Sequence, residues 1–220
     1  MNFICISNYN NDISWVKNYP NDYIVYDRSD IDINLTGLKF KKSPNVGYNL
    51  YDYFSYIIDN YDNLPEFITF IKGNVFPRHV TKKTFEKFMN KKYFLPIFDY
   101  NLHNPVMPVC MFSSDGNYSE INNSWYLNHH PTSYFNNFND FWNFIFENPF
   151  IPQYLTFAPG ANYVVPKNII LKYDIVFYKN LKKIISNNNL SGESHIVERA
   201  LYSIWLGEFK VSENMKKIIN

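Results

Sequence analysis

The chain has 220 residues, 20% of them aromatic, and a formal net charge of +1. That length suits one domain with a real hydrophobic core, and the balanced charge provides no long-range attraction for a polyanion, so no nucleic acid partner is expected. No stretch approaches the roughly 20 apolar residues of a membrane-spanning helix, and the two cysteines, Cys5 and Cys110, make neither a disulfide framework nor a metal knuckle.

The opening MNFICISNYN has no basic region ahead of a long hydrophobic segment and reads as a first strand, Phe3 to Ser7, not a signal peptide. A reducing, cytoplasmic location is the expectation. Asn and Asp in NYNND then offer caps to a short helix through ISWVKNY. A second short strand, Tyr23 to Tyr26, ends on Asp27, Arg28 and Ser29, and two such strands separated by a helix-sized segment predict a parallel βαβ start. Ligand groups would collect beyond the carboxyl ends of those strands.

From Gly47 the period changes to that of a helix. Leu50, Tyr51, Phe54, Ile57, Ile58 and Tyr61 make one apolar face, while Asp52, Ser55 and Asp59 fall mostly away from it. FITFI, Phe67 to Ile71, is continuous enough to be a central strand buried on both faces. Beyond its end Lys72 and Arg78 suit phosphate oxygens, Gly73 permits close backbone approach, and Asn74 or His79 suits a polar ligand; an ordinary surface loop would hold the same residues.

TKKTFEKFMNKKYF predicts a helix outside the sheet, and the turn-rich run from Asn101 to Phe135 gives no chain path. Its NHH, Asn128 to His130, lacks the spacing of a metal-binding helix, so surface exposure or structural hydrogen bonding is the default for His129 and His130. NDFWNFIFEN returns to a helix. Tyr163 to Val165 is a strand followed by Pro166, suited to a first helical turn, and then by the apolar spacing Phe177, Leu181, Ile184.

The last predicted helix starts at Ser191 as N-cap. It turns Ile196, Val197, Ala200, Leu201 and Ile204 to a core and places His195, Glu198, Tyr202 and Trp205 on a polar, aromatic opposite face. That face suits a ligand or a packing interface. Glu198 suits a proton acceptor, His195 suits orienting it, and Arg199 suits a phosphate or a surface acid. The alternation predicts one three-layer α/β domain with a mostly parallel central sheet.

The ordered phrases ISNYNNDISWV, YIVYDRS, NVGYNLYDYFSYIIDNYDNLPEFITFIKGN, FAPGANYVVPKNIIL and ESHIVERALYSIW resemble the DUF3431 family, which looks like a distant relative of GT-A glycosyltransferases. The resemblance spans nearly the whole chain and is weakest from about residue 80 to 150. Departures are specific. Ser7, Tyr9, Asn10, Asn11 and Asp12 stand where the family has a phrase close to RYNED, and Asn45, Val46 and Gly47 match NVGRE while Tyr48 and Asn49 replace its Arg and Glu. Lys72 replaces the polar neighbour in FLQG, and Arg78 precedes His79 where DH is typical; Gly160, Ala161, Glu198 and Arg199 match.

The resemblance implies a Rossmann-like GT-A glycosyltransferase fold over residues 1–220, with a nucleotide-sugar-binding half at 1–80 and an acceptor-site and closing half at 81–220. It implies transfer of a sugar from a nucleotide-sugar donor to a glycan or other hydroxyl acceptor. Asp27 would meet the ribose or base. Arg28, Asn45, Gly47, Lys72, Gly73, Asn74, Arg78, His79, Gly160, Ala161 and Arg199 would complete the donor site, with Glu198 as base and His195 beside it. Mn²⁺ or Mg²⁺ is the cofactor such enzymes often use, but Asp30 and Asp32 form their DID too early in the chain to be matched to a metal motif. A carbohydrate-binding protein derived from a glycosyltransferase is the alternative, and glycoside hydrolysis lacks a persuasive carboxylate pair.

Overall fold

The computed structural model describes residues 1–103, 109–112 and 117–218; part of the unassigned turn-rich run, at 104–108 and 113–116, lies outside them. In chain order the elements are β1 (Phe3–Asn8), β2 (Tyr23–Asp27), β3 (Phe40–Lys42), α1 (Tyr48–Asp59), β4 (Phe67–Lys72), α2 (Lys82–Phe88), β5 (Leu95–Pro96), β6 (Cys110–Phe112) and β7 (Tyr118–Ile121). They continue as α3 (Phe138–Ile145), β8 (Tyr154–Thr156), β9 (Tyr163–Pro166), α4 (Lys167–Ile170), α5 (Ile175–Ile185), α6 (Gly192–Leu206) and α7 (Glu213–Lys217).

A six-stranded sheet has the order β3-β2-β1-β4-β9-β5. β1 lies parallel to both β2 and β4, and β2 parallel to β3, so the three predicted strands do form one parallel core. β9 runs against both β4 and β5, a reversal that the sequence pattern does not reveal. A second, antiparallel sheet of β6, β7 and β8 was not foreseen; its strands of three or four residues are too short to show a period.

Alternation along the strands sorts the interior into two cores. Ile4, Ile6, Val25, Ile71 and Val164 pack on one face of the large sheet with Ile13, Val16 and Phe85. Cys5, Tyr26, Ile68, Phe70, Tyr163 and Val165 pack on the other with α1, α5 and α6. Each face is thus covered, as parallel strands require. Both cysteines are free and buried, and among the described residues no helix is long and apolar enough to cross a membrane.

Four local readings change. ISWVKNY forms a 3-10 turn over Ser14–Asn18, because Pro20 forces Tyr19 to be extended and leaves too few residues for an α-helix. Asp12 accepts the Ser14 amide at 2.8 Å in place of a helix cap. Helix α1 is buried nearly all round, Asp52 and Ser55 included, because it lies between the sheet and α5. Ser191 stands at the start of α6 but gives its hydroxyl to the Glu193 carboxylate at 2.9 Å, not to a helix amide.

The face of α6 opposite its apolar stripe is also not uniformly polar. Trp205 is fully buried and stacks on Phe70, with ring centroids 6.1 Å apart and planes 13° from parallel. It is part of the core on which the sheet rests. We expect Trp205→Ala to lower the unfolding free energy by about 3–5 kcal/mol in urea titrations, whereas Leu206→Ala, at a position 46% exposed, should change it by no more than about 0.5 kcal/mol. Equal, small effects would return Trp205 to a surface role.

Candidate functional site

The carboxyl ends of β1, β2 and β4 meet on one edge of the sheet, where Ser7 lies opposite both Tyr26 and Lys72. The strand order doubles back between β1 and β4, a position at which open sheets leave a crevice. A cavity of about 300 Å³ occupies it.

One wall is made by strand ends: Ser7 from β1, Arg28 just past β2, Lys72 at the end of β4, and Asn74, Arg78 and His79 from the loop that follows. Facing residues come from α6, namely Ser194, His195 and Glu198. Tyr9 and Asn11 belong to the loop after β1, and Tyr48, Asn49 and Leu50 are the first turn of α1. Among the described residues that turn has no side-chain cap, and its residues lie beside the cavity, where first-turn amides are available donors.

Two left-handed backbone pairs shape the rim. Gly47 and Tyr48 have φ of 61° and 51°, and Gly160 and Ala161 have φ of 80° and 52°. Asn49 Nδ2 donates to the Gly160 carbonyl at 3.1 Å and ties the pairs together. At Gly160 a Cβ would lie 2.8 Å from His79 Cδ2, so the close approach of loop to imidazole needs glycine as much as the positive φ does.

The charge on these walls is unequal. Among the described residues Arg28, Lys72 and Arg78 face a single carboxylate, Glu198. Among the described residues neither Lys72 nor Arg78 has an ion-pair partner. Burial pushes the Lys72 pKa down, Arg78 and Arg28 add to the effect, and Glu198 opposes it. Glu198 Oε1 accepts the Gly160 amide at 2.7 Å, and its Oε2 lies 3.9 Å from His195 Nδ1. The two nearest imidazoles are held neutral: burial lowers His195 to about 4 against the pull of Glu198, and lowers His79 to about 3 with help from Lys72 and Arg78.

Of the residues chosen from sequence, Arg28, Lys72, Asn74, Arg78, His79, Gly160, His195 and Glu198 share this cavity. The others do not line it. Asp27 is fully buried and its carboxylate is spent on Lys42 Nζ at 2.6 Å and Ser29 Oγ at 2.6 Å, so it has nothing left for a ribose. Asn45 sits behind Arg28, whose Nη1 reaches its Oδ1 at 3.5 Å. Gly47 makes the turn into α1 against Ile185, Gly73 packs on Asn8, and Ala161 is buried in its loop. Arg199 is buried against Glu120 and held between the rings of Tyr126 and Phe157, 3.6 and 4.8 Å from its guanidinium carbon; it joins α6 to β7 instead of meeting phosphate.

Sequence reasoning passed over Ser7, Tyr9, Asn11, Tyr48, Asn49, Leu50 and Ser194. Their positions at strand ends and helix starts were the available signal. His130 also stands closer than expected, its ring 4.0 Å from that of His195, whereas His129 is exposed.

Among the described residues the cavity offers one carboxylate, Glu198, which already accepts the Gly160 amide and stands among three cationic chains. Among the described residues no group of three or more His, Cys, Asp or Glu side chains is placed to hold a metal.

These features define a mixed α/β protein with a cationic cavity at the ends of its parallel strands. The chain belongs to DUF3431, a family described as protein of unknown function, whose model matches residues 4–217. No curated protein and no solved structure matches it.

The buried neutral histidines set a pH dependence. Their folded pKa values lie below the ordinary 6.5, so their contribution to stability is complete above pH 6.5 and is lost as pH falls toward 3 to 4. Wild type should therefore lose unfolding free energy more steeply than His79→Gln between pH 6 and 4, by close to one proton in the slope. Parallel curves in urea titrations across that range would show that His79 is not held neutral.

Proposed function

We propose that the protein is a glycosyltransferase that moves a sugar from a nucleotide-sugar donor to a glycan or other hydroxyl acceptor, built on a GT-A-like sheet. The observation that carries the reading is the cationic cavity at the strand ends, where, among the described residues, two basic side chains lack ion-pair partners and one carboxylate lies opposite them. Clustered like charges cost stability unless an anion joins them, and a diphosphate is an anion of suitable size and charge.

In this reading Arg28, Lys72 and Arg78 hold the diphosphate and balance the charge that grows on it as the glycosidic bond breaks. The first-turn amides of α1 add donors on the same side. Ser7, Asn11, Asn49 and Asn74 offer hydrogen bonds to hydroxyls, and Tyr9 and Tyr48 offer ring faces. Asp27, which the resemblance assigned to the ribose, takes no part.

Glu198 is the base. In a single displacement it takes the acceptor hydroxyl proton while that oxygen bonds to the anomeric carbon and the diphosphate leaves with the bonding pair. The Gly160 amide fixes one carboxylate oxygen and leaves the other toward His195 and the cavity. His195, held neutral, keeps the carboxylate from being locked in a strong ion pair.

The test is a panel of nucleotide sugars followed by thermal shift and by product formation. Donors that raise the melting temperature should lose most of that shift in Arg78→Ala. Glu198→Gln should retain donor binding and its circular dichroism spectrum while turnover falls by roughly 10² to 10⁴. Donor binding with no turnover in wild type would make the protein a carbohydrate-binding module, and no binding at all would overturn the donor site.

A further inference from the structure

Asp52 is a fully buried charge near the cavity, and it does not line it. Its side chain is fully buried on α1. Oδ2 accepts the Ser7 hydroxyl at 2.5 Å and Oδ1 accepts the Ser43 hydroxyl at 2.5 Å. Oδ2 also lies 3.1 Å from Arg28 Nε, but off the N–H axis, so the contact is ionic and not a linear hydrogen bond. Through these three partners one carboxylate touches the residues that follow or end β1, β2 and β3.

Arg28 is the part of this cluster that reaches the ligand space, where it lines the cavity together with Ser7. Among the described residues its one side-chain hydrogen bond is the long one from Nη1 to Asn45 at 3.5 Å, and its guanidinium carbon stands 5.9 Å from the Tyr9 ring centroid. The guanidinium therefore has donors left for an anion. Its charge is another matter: while Asp52 is ionised, much of that charge is cancelled from behind.

We propose that Asp52 is a positioning residue that couples proton uptake to anion binding in the cavity by acting through Arg28. The proposal rests on the anion-site reading above but not on sugar transfer. With the carboxylate ionised, Arg28 is held back and neutralised. With the carboxyl protonated, the two serines still fix it in place, and Arg28 presents its full charge to the ligand. An anion bound at Arg28 in turn makes protonation of Asp52 easier, because linkage is reciprocal.

The surroundings give the coupling a usable range. Burial lifts the Asp52 pKa to about 7, outweighing the opposing pull of Arg28, Ser43, Ser7 and Lys182. The other titratable groups against it, Cys5 on β1, Tyr26 on β2 and Tyr53 on α1, are all pushed upward by their own burial and stay neutral between pH 6 and 8. Within the cavity His79 and His195 titrate well below that window.

Sulfate is the direct probe, because its charge is constant through this range. Titration calorimetry on the full chain should show sulfate affinity rising by up to roughly tenfold as pH falls from 8 to 6, the limit set when binding takes up one proton at a group that titrates at about 7 in the free protein. Buffers of different ionisation heat should show proton uptake on binding. Asp52→Asn should bind sulfate with a flat profile, and Asp52→Glu should restore a step. If Asp52→Asn fails to fold, carboxyl ¹³C shifts of wild type with and without sulfate give the same answer: the Asp52 titration should move upward when sulfate is present. A flat wild-type profile, an unchanged step in Asp52→Asn, an unmoved carboxyl titration, or no sulfate binding would each overturn the proposal, whereas a transfer assay that fails with the step intact would overturn only the glycosyltransferase reading.

Discussion

The burial of one carboxylate constrains everything at the open edge of this sheet. Parallel strands finish with their carbonyl ends together, and chain segments leaving them must be held in register without a hairpin to do it. Asp52 does so by receiving Ser7 from within β1, Arg28 just past β2 and Ser43 just past β3. A carboxylate removed from water is expensive unless hydrogen-bonded and paired, so the strand ends are obliged to converge on it. Arg28 reaches the cavity as a by-product of that obligation.

A second clamp closes the opposite side with neutral groups. The Asn162 side chain is fully buried; its Oδ1 accepts the Lys72 amide at 3.1 Å and its Nδ2 donates to the Pro159 carbonyl at 3.3 Å. Its backbone carbonyl accepts Ile97 at 2.8 Å, which joins β4, the start of β9 and the segment after β5. Asn49 then fastens α1 to the same loop through Gly160. The two clamps differ in what acid does to them. Asp52 has a raised pKa, so the stability it contributes is complete below the ordinary carboxylate range and declines as pH rises through about 7. His79 and His195 contribute in the opposite direction, and the two slopes oppose each other between pH 4 and 6.5.

What was legible in the sequence follows from this physics. FICIS, YIVY and FITFI are short continuous apolar runs, which is what burial between two layers demands, and they pair as neighbours in a parallel sheet. That Lys72, Asn74, Arg78, His79 and Glu198 would share one crevice was legible because strand ends and a mixed helix face are local patterns. Asp52 was hidden for the same reason that it matters: helical periodicity assigns an acid to solvent, and only the guanidinium and hydroxyls brought by distant segments make its burial tolerable. Arg199 and Asp27 were misplaced in the reverse sense, since their partners Glu120 and Lys42 lie 79 and 15 residues away. The direction of β9 was likewise unreadable, because Tyr163 to Val165 has the same composition whichever way it runs.

The cationic wall also separates binding chemistries. A pocket for neutral sugars needs ring faces and amides, which Tyr9, Tyr48, Asn11 and Asn74 would supply without any lysine or arginine. Adding Lys72 and Arg78 beside Arg28 makes such a pocket worse in the empty state, because like charges repel at short range in a partly desolvated space. The depressed pKa of Lys72 carries part of that cost, with burial first and the two arginines adding to it. Glu198 relieves one unit of charge and no more. That uncompensated positive charge at the end of a parallel sheet, beside side chains able to bond hydroxyls, is the electrostatic ground of the anion-site proposal.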